Sequence, residues 1–373
     1  MLTQSGCASR QKRLQELMQT ERWDLFLTSD YRTVYYFTGL LVAPEFPSVF
    51  VQRSDGRTSL ISATSGVARC DTQQYLETYS IKRSIDTPGH EAAQLLKQSL
   101  ADNLSSAVRS CGVECESTAG VYEHTIASQY SGVALLDASE TLRKMRKPKD
   151  ADEVDSIREN LDLCAVAYDA AREIIAPGVT EIDVYSEMHK AINKASGKTI
   201  TFAGDFACGL RGIKEGGTPT LRKIQNGDLY ILDIFPALDL YRADTTRTFC
   251  VGQPTDIQMQ VWHLILDAIR MGEVMAQPGI PASAVYESIK LFLDAHTATE
   301  KSFWHHLGHG LGHRGHEAPR IIPGSSDVFE VGDVFTIEPG VYTHALQGGV
   351  RLEDNYLMTS SGPQDLFSYS WAL

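Results

Sequence analysis

The sequence predicts an α/β chain of two domains: a small α/β domain over residues 1–145 and a larger α+β domain over residues 146–373, built from an internal duplication. Three observations lead there. Apolar runs of strand length alternate with helical stretches up to about residue 145. Beyond it, an order of helix, Pro-Gly, helix and acidic hairpin occurs twice. Four acids and a histidine then interrupt stretches that otherwise read as buried strand. A length of 373 residues suits two domains, and 43 % apolar residues can fill a core in each.

In the first domain Asp24–Thr28, Ser48–Gln52 and Thr58–Ser62 read as strands and Glu91–Leu104 as a helix. A basic run, Arg143, Lys144, Arg146, Lys147 and Lys149, follows. A helix starting near Asp152 places Val154, Ile157, Leu161, Cys164 and Tyr168 on one face and stops at Pro177-Gly178. The stretch Ala176–Tyr185 matches Gln277–Tyr286 at an offset of 101, and Glu338 lies 105 beyond Asp233. Both hairpins therefore belong to the same duplication, and a pseudo-twofold with the acids at its centre is expected.

The acids carry the functional argument. A carboxylate inside Leu229-Tyr-Ile-Leu-Asp-Ile-Phe235 costs several kcal/mol unless something compensates it. Asp233 and Asp244 straddle a midpoint at Leu238–Asp239, and a hairpin turning there sets them face to face. Glu338 and Glu353 straddle a second midpoint, with strands expected over Asp333–Glu338 and Gly349–Asn355. Carboxylates that close repel one another, and paired divalent cations would neutralise them. Trp304–His316 holds five of the eleven histidines. Its glycines at 308, 310, 312 and 315 argue for an extended or looped path, with His309 between glycines that let the backbone approach a metal. Asp233, Asp244, His309, Glu338 and Glu353 thus form an oxygen-rich set suited to two metals and activated water.

Composition narrows the partners. A net charge of −13 argues against nucleic acid and anionic membrane. No run of about 18 apolar residues occurs, and the polar N-terminal segment lacks signal-peptide architecture, so a cytoplasmic protein is expected. Seven scattered cysteines, with only Cys111 and Cys115 close together, read as reduced thiols.

The segments Leu232-Asp-Ile-Phe235, Tyr241–Phe249, Gly308-His-Gly-Leu-Gly312, Thr336–Tyr342 and Val350-Arg-Leu-Glu-Asp354 together resemble the pita-bread metallopeptidases, in their Xaa-Pro dipeptidase (prolidase) and aminopeptidase P branch. The resemblance implies a creatinase-like N-terminal domain, a duplicated pita-bread catalytic domain and a homodimer acting on small peptides with proline at the second position. It implies two divalent ions, Mn²⁺ or Co²⁺, with Zn²⁺ and Fe²⁺ also suitable. By position, Asp233 looks like the chelator of one ion, His309 and Glu338 like ligands of the other, and Asp244 and Glu353 like bridges. Glu338 also matches the family's proton shuttle, and His305 and His316 match histidines that contact substrate or stabilise the tetrahedral intermediate.

Two departures bear on activity. The family carries a histidine upstream of the first metal strand, whereas here Cys208–Pro219 has none, leaving Lys214 or Glu215 as replacements. Ile234-Phe235-Pro236 stands where the family has a glycine. Non-peptidase chemistry on the same fold, creatinase-like or lyase, and a metal-binding homologue without turnover are the alternatives.

Overall fold

Alternation along Leu25–Thr28 decides how the first unit is layered. Leu25 and Leu27 pack into one apolar cluster and Phe26 into another, as do Val49 and Val51 against Phe50, and Ile61 against Leu60, so the sheet is covered on both faces. The computed structural model describes the chain except residues 81–82, 85–86, 104–107 and 215. It resolves into two compact units, Met1–Met145 and Arg146–Leu373.

The first unit has a six-stranded sheet in the order Thr72–Tyr75, Thr58–Ser62, Ser48–Arg53, Leu25–Thr28, Ser110–Val113, Ala134–Asp137. Helices Gln4–Glu21 and Tyr31–Thr38 cover one face, and Pro88–Asn103 and Gly120–Gln129 the other. The helix expected over Glu91–Leu104 is thus Pro88–Asn103, and Leu104 lies outside the described residues. All seven cysteines are free thiols, and among the described residues no helix is long and apolar enough to cross a membrane.

In the second unit, helix Ala151–Ile174 starts with the Glu153 carboxylate accepting from the Asp150 N–H at 2.9 Å. It buries Val154, Ile157, Leu161, Cys164 and Tyr168 as their spacing requires. The duplication is visible bond by bond. Gly178 N–H donates to the Ile224 carbonyl at 2.9 Å, and 101 and 105 positions later Gly279 N–H donates to Phe329 at 2.8 Å. Helices Glu181–Ser196 and Ala282–Asp294 follow these equivalent turns, and each half then presents an antiparallel sheet. In the first, Leu229–Leu238 runs between Thr201–Cys208 and Thr245–Cys250. In the second, Val334–Ile337 runs between Gly308–Gly310 and Asp354–Thr359.

The first hairpin turns one residue later than the acid spacing suggests. Asp239 and Leu240 form the turn with left-handed φ of 50° and 68°, and Leu238 pairs with Tyr241. Asp233 therefore faces Thr246 rather than Asp244, which lies on the diagonal. A two-residue turn of this hand matches the strand twist, and that gain outweighs the poor fit of leucine in the left-handed region.

The second hairpin keeps one register throughout, Ile337 opposite Asp354 and Gly340 opposite Arg351, so Glu338 stands opposite Glu353. The ladder is interrupted at those two residues. Pro339 has no N–H to give it, and the Glu338 and Glu353 amides turn to the Leu307 and Thr246 carbonyls at 2.8 and 3.1 Å.

Much of the basic run is internal. Lys147 Nζ donates to the Val328 carbonyl at 2.7 Å, and Lys149 Nζ meets Glu317 Oε2 at 2.9 Å with both side chains buried. Burial alone would raise the Glu317 carboxyl, but the charges of Lys149, His313 and Arg146 outweigh it and hold the group at about 2, against an ordinary 4.5. A depressed carboxyl contributes stability above its unfolded value and loses it as pH falls, here from about 4.5 towards 2. Urea unfolding across that window should show Glu317→Gln starting less stable at neutral pH, by roughly 3–5 kcal/mol for a broken buried pair, and losing less on acidification than wild type. Parallel acid limbs for the two proteins would contradict the assignment.

Candidate metal centre

Where the two hairpins meet, Asp233, Asp244, Glu338, Glu353 and His309 all lie at least nine-tenths buried. Asp233 is on the central strand Leu229–Leu238, Asp244 in the gap before Thr245–Cys250, and His309 at the middle of Gly308–Gly310. The glycines beside His309 serve packing between strands. A Cβ on Gly308 would lie 2.1 Å from the Thr336 carbonyl oxygen, and one on Gly310 1.9 Å from that of Ala318.

His309 is oriented by its backbone. Its Nδ1 lies 3.0 Å from the Gly310 carbonyl, which can only accept, so Nδ1 carries the proton and Nε2 presents a lone pair. That Nε2 is 3.6 Å from Asp244 Oδ2 and 3.5 Å from Glu338 Oε1. Burial, reinforced by the neighbouring imidazoles of His316 and His306, pulls its pKa down to about 4 against the charge of Glu338, so it is neutral at pH 7. His316 stacks flat on it, centroids 3.8 Å apart.

The acids are electrostatically frustrated. Burial, then the charges of Asp233 and Glu338, push Asp244 well above the carboxylate range, and burial with Asp244, Glu338 and Asp233 does the same to Glu353. Asp233 is raised to about 6 by burial, opposed by the Arg351 guanidinium. For Glu338 burial is outweighed by the close His306 imidazole and by His309 and His305, which hold it below the ordinary range. Asp233 Oδ1 and Glu353 Oε1 are buried and accept no hydrogen bond among the described residues. Such orphaned oxygens are costly, and divalent cations are the groups that a set of carboxylate oxygens around an imidazole lone pair would satisfy. The set fits the two ions that its residue types imply.

Several partners escaped sequence reading. Arg351 Nη2 donates to Asp233 Oδ2 at 2.6 Å and to Asp205 Oδ2 at 3.1 Å, while its Nη1 donates to the Tyr342 hydroxyl at 2.9 Å. Tyr342 in turn lies 2.9 Å from His305 Nε2, and His305 Nδ1 2.6 Å from the His306 carbonyl, so both His305 nitrogens are engaged within the protein. Arg351 stands two residues before Glu353 in an extended segment, and that same-face spacing was the signal available for it. Asp205 gave none, because only the pairing of Thr201–Cys208 brings it opposite Asp233. A cavity of about 410 Å³ opens onto the acids, walled by Asp205, Phe235, Trp304, His305, His306 and His316. Lys214 is exposed on a 3₁₀ turn and does not line it, and Glu215 lies outside the described residues.

Residues 155–360 match metallopeptidase family M24, and residues 10–147 match the creatinase/prolidase N-terminal domain. The chain belongs to metallopeptidase family M24. It is 32 % identical over 295 residues to the uncharacterized peptidase YqhT of Bacillus subtilis, covering 76 % of this chain and 81 % of that one. It is 30 % identical over 259 residues to an Xaa-Pro dipeptidase of Pyrococcus horikoshii, covering 69 % and 73 %. In fold it matches the crystal structure of the prolidase from Pyrococcus horikoshii OT3 with a TM-score of 0.81, at 24 % identity over 97 % of this chain and 99 % of that one. The creatinase-like and pita-bread architecture expected from the motifs is therefore the architecture of this M24 peptidase.

For an M24 enzyme with this centre, elemental analysis after supply with Mn²⁺ or Co²⁺ should find about two ions per chain. The melting temperature should rise on loading and fall on chelation, because ions that bind only the folded state stabilise it. A folded chain that retains no ion after loading would overturn the metal assignment.

Proposed function

We propose that this chain is a dinuclear metal-dependent hydrolase of short peptides with proline at the second position, an Xaa-Pro dipeptidase or aminopeptidase. The observation that carries the reading is the meeting of the His309 Nε2 lone pair with Asp244 and Glu338, beside Glu353, on the wall of a cavity of about 410 Å³. That volume lies in the range of small-molecule sites. On this reading Asp233 serves one ion, His309 and Glu338 the other, and Asp244 and Glu353 serve both. Bound divalent cations would supply Lewis acidity towards a peptide carbonyl and towards water, and Mn²⁺, Co²⁺, Zn²⁺ and Fe²⁺ all suit such donors.

The protein's own groups do the rest. Glu338, held ionised by the imidazoles around it, accepts the proton of the attacking water and delivers it to the leaving nitrogen. Arg351 fixes the Asp233 carboxylate through Oδ2 and leaves Oδ1 free. His305, locked between Tyr342 and the His306 carbonyl, and His316, stacked on His309, present ordered polar walls to the substrate. Phe235 and the half-exposed Trp304 add apolar surface suited to a proline ring.

Metal-loaded protein should cleave Xaa-Pro dipeptides or longer Xaa-Pro peptides and leave Xaa-Ala analogues largely untouched. Failure on every Xaa-Pro substrate with metal bound would overturn the proposal and favour the non-peptidase alternatives. Glu338→Gln should keep at least one ion yet lose roughly 10²-fold or more in kcat, the scale of general acid–base catalysis. Glu353→Ala should lose metal and activity together. Wild-type turnover in Glu338→Gln would remove the proton-shuttle role.

A further inference from the structure

His306 has no part in the motif resemblance, yet it points at the acids. Its Nδ1 is buried, makes no aligned hydrogen bond among the described residues, and lies 3.1 Å from Glu338 Oε1, within ion-pair reach. The same Oε1 is 3.5 Å from His309 Nε2. Two imidazole nitrogens thus approach one carboxylate oxygen, and His309 brings to it a lone pair rather than an N–H. Donor atoms held about 2.1 Å from a common ion stand roughly 3.0–3.4 Å from one another, and the contacts of 3.1 and 3.5 Å lie within or close to that spacing. His305, Glu338 and His306 also form a group whose ligand atoms lie within 4.8 Å of one another. In that group His305 is spoken for, with Tyr342 at one nitrogen and the His306 carbonyl at the other. His306 Nδ1 is the nitrogen left over.

We infer that His306 is a second imidazole ligand of the centre, joining His309 at the ion served by Glu338. The inference rests on the reading of this centre as a metal site and extends it. Its chemical consequence is an unequal pair of positions: one drawing on Asp233 and the shared carboxylates, all oxygen, and one with two nitrogens. Nitrogen-rich sites favour Co²⁺, Zn²⁺ and Fe²⁺, whereas oxygen-only sites suit Mn²⁺. The two positions should therefore fill in sequence with different ions when both kinds are offered.

The test uses the full chain loaded with Co²⁺, whose paramagnetism shifts the N–H protons of ligating imidazoles far outside the ordinary proton NMR range. Two such signals that vanish in D₂O are expected, one from His309 Nδ1–H and one from His306 Nε2–H. His306→Asn should remove one signal, keep the other, and weaken Co²⁺ and Zn²⁺ at one position by ~10-fold or more in chelator competition, with Mn²⁺ far less affected. A single imidazole signal in wild type, with Co²⁺ affinity unchanged in His306→Asn, would overturn the inference while leaving the metal centre intact. Wild-type protein that binds no Co²⁺ would overturn both readings. The signal count in wild type decides the question even if the variant does not fold.

Discussion

The bridge between Thr246 and Glu353 is the contact on which the centre depends. The Glu353 amide donates to the Thr246 carbonyl at 3.1 Å, and the Thr246 hydroxyl donates to Glu353 Oε2 at 2.8 Å. Without it the two acidic hairpins belong to separate sheets, and carboxylate repulsion would part them. Neighbours on the same strand repeat the device. The Thr248 hydroxyl donates to the Arg351 carbonyl and accepts from its amide, and buried Arg247 reaches the Glu353 carbonyl and the Asp354 carboxylate, both at 2.8 Å. The run Thr246-Arg247-Thr248 therefore works as a row of rungs, joining halves that meet at the isolated backbone bridge Thr246–Glu353.

What those rungs hold together is expensive. Several carboxylates share one buried region in which Arg351 is bonded to Asp233, and burial raises every one of them, outweighed only at Glu338 by the imidazoles around it. The protein limits the cost by keeping His309 neutral and by committing Arg351 to Asp233 and Asp205. Neither measure reaches Asp233 Oδ1 or Glu353 Oε1. The residual frustration is located at the atoms that the proposed chemistry requires, as expected where a site is built at the expense of stability.

Legibility followed the range of the interaction. The duplication, the helix at Ala151–Ile174 and the Glu338–Glu353 register were readable because each rests on local periodicity or on symmetric spacing about a turn. The Asp233–Asp244 register was missed by one turn position, because Leu240 gives no hint that its backbone will adopt a φ of 68°. The burial of Lys147 and Lys149 was hidden because a basic run ordinarily reads as solvated, and their partners Val328 and Glu317 lie some 170–180 residues away. Asp205 was illegible for the same reason, because its meaning comes from Asp233 opposite it in space. His306 stood out as one of five clustered histidines, and only its approach to Glu338 was hidden.

The duplication is faithful in backbone and unfaithful in chemistry. Asp205 lies opposite Asp233 in the first half, whereas Leu307 takes the corresponding place beside Glu338 in the second. The second half supplies the cavity's imidazoles, and the first supplies Asp233, Asp244 and Asp205, with Arg351 crossing over to bind two of them. A symmetric pocket on a twofold axis would bind a short peptide equally well in either direction. On the proposed reading, a cavity that takes its aspartates from one half and its imidazoles from the other would distinguish the two ends of a short peptide. The divergence between the halves, more than the symmetry that relates them, is what would suit the site to the proposed removal of residues from one end of a peptide.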